Sequence, residues 1–195
     1  MKKRILALLL LITVLVSCDS LQKGLSSTYN MINCEYSYKS ISGMTVSGIN
    51  LSNGLSLTSI PKVTSILSGS ATSIPLNFTL NLNVKNPNQS EAMLHGLQYI
   101  LSIDDVQFTT GSINQSLNIA AGQTQTLPLT IGVDLASLMK NNSKSAVTEI
   151  AKNFLGIGSK KSNVSLQLKP SFMIGNTPIA SPVYIPVSFS FGGGN

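Results

Sequence analysis

Residues able to do chemistry are few in this chain of 195 amino acids, and the first question is which of them could act together. There is one histidine, His95, in Leu94-His95-Gly96, at a turn-to-strand position. A serine nucleophile with a histidine base would have to use it, yet no Gly-x-Ser-x-Gly elbow accompanies it. Zinc wants several His or Cys ligands, and His95 with one unlipidated cysteine, Cys34, cannot make a site. Asp104-Asp105 could supply part of a calcium shell, which needs six to eight oxygens; a hairpin turn accounts for the pair better. Gly156-Ile157-Gly158-Ser159 and Gly192 to Gly194 lack the Lys-Ser/Thr of a phosphate loop. No catalytic and no metal-ligating residue is assigned, and a hydrolase centred on His95 stands as the weakest reading.

The informative cysteine is Cys18. Met1-Lys2-Lys3-Arg4 is a basic start, and Ile5 to Val16 is apolar except for Thr13. Such a run spans about 18 Å as a helix, short of a ~30 Å hydrocarbon core. It reads as a secretory signal. Leu15-Val16-Ser17-Cys18 resembles the bacterial lipobox, in which cleavage falls between residues such as Ser17 and Cys18 and the thiol receives a diacylglyceryl group. Each buried acyl CH₂ adds about 0.8 kcal/mol, so two or three chains hold a protein firmly. The covalent lipid on Cys18 is the only group expected in place of a cofactor. Cys34 is then left without an intrachain partner, and Glu35, Tyr36 and Tyr38 beside it supply no positive field to activate a thiol.

Charge narrows the partners. The formal charge is +6, and loss of Lys2, Lys3 and Arg4 with residues 1–17 lowers it to +3. The remaining Lys residues are scattered, with Lys160-Lys161 the one adjacent pair, so the basic stripe of a nucleic-acid binder is missing. No small-molecule substrate is evident. The expected partners are the membrane, through the anchor, and an envelope protein, lipid or wall material. Localisation is expected in the cell envelope, facing the periplasm or the exterior, with the outer membrane favoured. Asp19 keeps the inner membrane open, because in some enteric bacteria that residue favours retention there.

These residues need elements to position them. Residues 18–40 are polar and Ser-rich and read as a lipidated tether. From Ile41 the pattern is strand-like, with Met44 and Val46 and then Ile49, Leu51, Leu55 and Leu57 separated by Ser, Thr, Asn and Gly. Residues 61–74 carry Pro61, Gly69 and a run of Ser and Thr, and read as a loop. Leu76, Phe78, Leu80, Leu82 and Val84 alternate with Asn77, Thr79, Asn81, Asn83 and Lys85, the period of a strand with one buried face. Leu97 to Ile103 and Val106 to Thr110 read as a hairpin turning at Asp104-Asp105. Leu117 and Ile119 continue the alternation to a turn at Gly122. Leu127, Leu129, Ile131 and Val133 form another strand, placed at an edge by Pro128. Asp134 can cap a helix from Leu135 that breaks or bends at Asn141-Asn142-Ser143. Val147, Ile150, Ala151, Phe154 and Leu155 then give it a core-facing stripe, with Gly156 as its C′ residue. Val164 to Leu168 and Val183 to Phe191 close the fold, and residues 192–195 read as a flexible tail. The sum is a mainly β chain: an antiparallel β-sandwich, Ig/fibronectin-like, of about seven strands with one helical insertion after residue 134.

One strand ends on Asn86-Pro87-Asn88. Proline fixes φ at the first corner, the residue before it stays extended, and Asn88 tolerates left-handed geometry, so the triplet reads as a structural turn. An alternating strand ending in Asn-Pro-Asn comes first, then Leu94-His95-Gly96-Leu97-Gln98-Tyr99 and a short hairpin. Gly111, a strand from Leu117 and an alternating strand running into a helix complete the order. This order resembles the WHy domain of type 2 late embryogenesis abundant proteins over residues 41–191. The resemblance implies a β-sandwich with an accompanying helix, no enzymatic activity, and links to dehydration, stress and defence. A stress-protective module that stabilises membranes or proteins is thus the alternative to an envelope interaction protein.

Overall fold

The computed structural model describes residues 26, 29–52, 54–174 and 177–193. Two antiparallel sheets face each other. The first has the order β2 (Ile49–Asn50), β1 (Glu35–Val46), β3 (Pro75–Lys85), β8 (Thr124–Asp134). The second is built on the long strand β9 (Ser162–Ile174), flanked by β5 (Gly96–Ile103) and then β6 (Val106–Ile113) on one side. On its other side β11 (Ile185–Phe191) pairs with its first half and β10 (Thr177–Ala180) with its second. Two short strands, β4 (Ala92–Leu94) and β7 (Leu117–Ile119), pair with each other across one end. Three helices sit at the opposite end: α1 (Ser59–Ser68), α2 (Leu135–Asn141) and α3 (Lys144–Phe154).

The inward parity of β3 explains why the sheets stack. Leu76, Phe78, Leu80, Leu82 and Val84 are all buried. They meet Leu97, Leu101 and Ile103 of β5 and Val164, Leu166 and Leu168 of β9 in one continuous core. Each such side chain contributes about 1.5–3 kcal/mol on burial, so the facing rows rather than any polar contact hold the layers together. Pro128 lies in β8, which is an edge strand, where a missing N–H costs no ladder bond. Phe154 of α3 closes the helical end, its ring tilted against Phe78 at 5.3 Å and Phe191 at 5.1 Å.

Several expectations need correction. β1 begins at Glu35, inside the stretch expected to be tether, and residues 29–32 ahead of it are helical. Bulges between Tyr38 and Ser40 and between Ser42 and Thr45 shift the strand's inward parity twice. The 61–74 loop contains most of α1. Pro61 falls in that helix's first turn, where its absent N–H would have lacked a partner anyway. Eleven strands are present among the described residues rather than about seven, the short β2, β4, β7 and β10 making most of the difference. The tail is tied down at its start, since the Gly193 amide donates to Asn153 O at 2.8 Å. Other expectations hold. Asp134 caps α2 by accepting from the Ala136 amide, the helical segment is split at Asn142-Ser143, and Gly156 takes φ +79°.

Candidate functional site

The densest polar constellation is built on the Asn-Pro-Asn triplet. Asn86 continues the inward parity of β3 beyond Val84, so its carboxamide is carried into the core and is 0% exposed. Burying an amide is tolerable only if its hydrogen bonds are made. Its Nδ2 donates to Ser90 O and to Ile119 O, both at 2.9 Å, and to Ala120 O at 3.3 Å. Its Oδ1 accepts from the Asn88 amide at 3.0 Å and from Asn88 Nδ2 at 2.7 Å. Its main chain adds two bonds, to Gln123 O and from the Gly122 amide. One side chain thereby ties the end of β3 to the β7–β8 connection.

The same constellation clasps the chain that leads into β1. Asn88 Nδ2 donates to Asn30 O at 3.0 Å, while Asn30 Nδ2 donates to Ser90 Oγ at 2.7 Å and Glu91 O at 2.9 Å. Cys34 Sγ donates to that same Asn30 carbonyl, and Tyr36 Oη donates to Met31 O at 2.9 Å. Glu35 and Lys85, paired across β1 and β3, form an ion pair at 3.1 Å between exposed groups. The helical turn at 29–32 is therefore docked by side chains of the Asn86 end. Asn88 makes no use of its tolerance for left-handed geometry; among the described residues the positive φ values outside glycine fall at Ser47, Asp104 and Asp105.

At the helical end an apolar cleft of ≈ 240 Å³ opens between β1, residues 51, 52, 54 and 55, and the end of α3. Met44, Leu51, Leu55, Phe154 and Phe191 form its walls. Among the described residues it holds no acid, base or nucleophile beyond the hydroxyls of Ser42 and Ser52, so the chemistry they offer is shape and hydrocarbon.

Comparison with known proteins turns on this same β3-to-β11 region. The family described as "Late embryogenesis abundant protein" matches residues 81–188, more than half of the chain. The chain belongs to that family. The solved structures that match are distant. A protein from Archaeoglobus fulgidus is 19% identical over 63% of this chain and 90% of its own, with a TM-score of 0.37. A protein of Arabidopsis thaliana is 9% identical, covering 83% of this chain and 82% of its own, with a TM-score of 0.47. A candidate late embryogenesis abundant protein is 13% identical, covering 93% and 86%, with a TM-score of 0.39. No curated protein matches the chain.

Within this late embryogenesis abundant domain the remaining candidates separate. His95 is exposed, and its backbone amide donates to Ser171 O at 2.8 Å. Asp104 and Asp105 form the β5–β6 hairpin turn with φ +47° and +64°, and Asp104 Oδ1 accepts from the Asn163 amide. Among the described residues no three His, Cys, Asp or Glu side chains gather as metal ligands would. Cys34 is buried; desolvation first, and then the Glu35 carboxylate, push its thiol up to about 11, which leaves it protonated and unreactive. Ser17 and Cys18 lie outside the described residues.

Sequence reasoning took Asn86 for a turn residue and missed its buried role. A signal existed: Asn86 has the even numbering of Leu82 and Val84, so an unbroken strand puts it on the core face.

Proposed function

We propose that the chain is a non-catalytic, lipid-anchored protein of the cell envelope that works through interactions with envelope proteins, lipids or wall material. Family membership suggests a non-enzymatic role associated with stress and desiccation. The observation that carries the finer reading is Leu15-Val16-Ser17-Cys18 after a short apolar run. No helix among the described residues is long and apolar enough to cross a membrane. Acyl chains on Cys18 would supply attachment.

The test is chemical crosslinking in intact cells followed by recovery of the protein from the envelope. A stoichiometric envelope partner is expected. Recovery of the protein alone from the membrane fraction would favour the second reading, a protective module. The weakly charged outer face of β3 supports that reading, where Asn81 Nδ2 donates to Ser40 Oγ and Ser42 Oγ.

A further inference from the structure

The exposed large apolar side chains are not spread evenly. Of Tyr29, Leu57, Met93, Ile179, Val183 and Tyr184, only Leu57 belongs to the helical end. The register places the others. Gly96 opens β5 opposite Ser171 of β9, so Met93 in β4 and the last residues of β9 lie beyond that point, towards the Asn86 end. Ile179 pairs with Phe172 there, and all four residues of β10 are exposed along an unpaired sheet edge. Val183 and Tyr184 follow in the return towards Ile185, which pairs with Leu168. Lys169 Nζ stands 5.3 Å from the centre of the Tyr184 ring. Tyr29 belongs to the helical turn clasped by Asn88 and Ser90.

The chain emerges at this end too. Asn30 is bonded to Asn88, Ser90 and Glu91, and the stretch from Cys18 to Tyr29 spans at most about 40 Å. A lipid on Cys18 therefore attaches the chain on the Asn86 side of the fold, one β3 length from the helical end. Asp104, Asp105, Asp134 and Glu149 belong to the helical end together with Lys62, Lys140, Lys144, Lys152, Lys160 and Lys161, so charge does not set the two ends apart; near the chain's exit Glu35 is paired with Lys85 and Glu91 accepts from Asn118. Tyrosine and lysine beside aliphatic side chains are the residues that settle at the headgroup level of a membrane, ring and stem in the apolar layer and polar tip in water.

We propose that the end of the sandwich formed by β4, the β10 edge and the return to β11 is a second membrane contact, resting Met93, Ile179, Val183 and Tyr184 in the phospholipid interface. This rests on the lipid-anchor reading above. The lipid supplies attachment, and the apolar end fixes orientation, leaving the helical end and its cleft turned away from the bilayer.

The chain contains no tryptophan, so single substitutions report position without background. The full-length lipidated Ile179→Trp, Tyr184→Trp and Leu57→Trp proteins are reconstituted into phosphatidylethanolamine/phosphatidylglycerol vesicles with brominated acyl chains. Lipidation is read by mass and binding by flotation. At least twofold quenching at positions 179 and 184, with none at 57, is the expected result. Lipidated, floating protein with equal quenching at all three positions overturns this inference and leaves the anchor intact. A concentration-dependent blue shift without bromine quenching means that a second copy covers the surface, and it overturns the inference too. An unmodified Cys18 overturns the anchor, and this inference with it. Should Ile179→Trp fail to fold, the conservative Tyr184→Trp gives the same reading.

Discussion

The carboxamide of Asn86 donates to the carbonyl of Ile119, 33 residues further along the chain, at 2.9 Å in a fully buried setting. That bond joins the end of β3 to the short β4–β7 ribbon, and its neighbours hold the segment leading into β1. Removing the carboxamide would leave the carbonyls of Ser90, Ile119 and Ala120 short of a donor. Asn86→Ala is expected to cost about 2–4 kcal/mol, since a lost buried network costs more than one bond. Asn88→Ala, whose carboxamide is only partly buried, should cost less. Urea denaturation of both variants checks the order, and equal small losses would contradict it.

Phe154 is the aromatic plug of the helical end, 1% exposed and in contact with the rings of Phe78 and Phe191. Truncation to alanine leaves a cavity that β3 cannot collapse into. Phe154→Ala is expected to lose about 3–5 kcal/mol by denaturant titration. Phe154→Leu should recover most of that loss.

Gly192 has φ +81°, and an added Cβ would run into the carbonyl oxygens of Asn153 and Phe154. The closing of β11 against the end of α3 therefore needs glycine on two counts. Gly192→Ala should lower the melting midpoint by several degrees, corresponding to about 1–3 kcal/mol. An unchanged midpoint would show that this junction carries no load.

Asp134 accepts from the Ile74 amide and the Ser73 hydroxyl, with the Ala136 amide beside them, and these bonds hold its carboxyl below the usual carboxylate value. A carboxylate depressed in the folded state stabilises above its unfolded value near pH 4, and that contribution fades as pH falls through the lower folded value. The stability gap between wild type and Asp134→Ala should thus be full at pH 7 and shrink in acid. Urea titrations at several pH values measure it, and a gap that widens in acid would contradict the assignment.

Cys34 has the opposite sign. Its thiol is raised to about 11, so the folded state holds a proton that the unfolded chain releases above its ordinary value near 9. Its contribution is present below pH 9 and lost as pH rises towards 11. The native protein should resist thiol reagents at pH 8 and react on unfolding.

The sequence carried the sandwich wherever a strand kept strict period two, as in β3 and the first half of β9, because alternation alone dictates which face is buried. It failed where geometry broke the period. The first half of β1 hides behind a bulge and serine-rich spacing, only Ile41 to Val46 reading as strand; α1 hides behind a proline that its first turn tolerates, and β10 is short and exposed. The Asn86 network was illegible for a different reason. Hydrogen bonds to Ile119 and Asn30 join segments far apart in sequence, and no local pattern encodes them. Turn chemistry explained Asn-Pro-Asn fully on its own terms, and so masked the buried role of its first residue.

The central claim, a protein held to the membrane by lipid on Cys18, is tested most directly by the mass of the N-terminal peptide from the membrane-extracted protein. The account predicts a peptide beginning at Cys18 and carrying a diacylglyceryl group, with Cys18→Ser leaving an uncleaved, unlipidated precursor. A wild-type peptide with an unmodified Cys18, or one beginning at another residue, would contradict it.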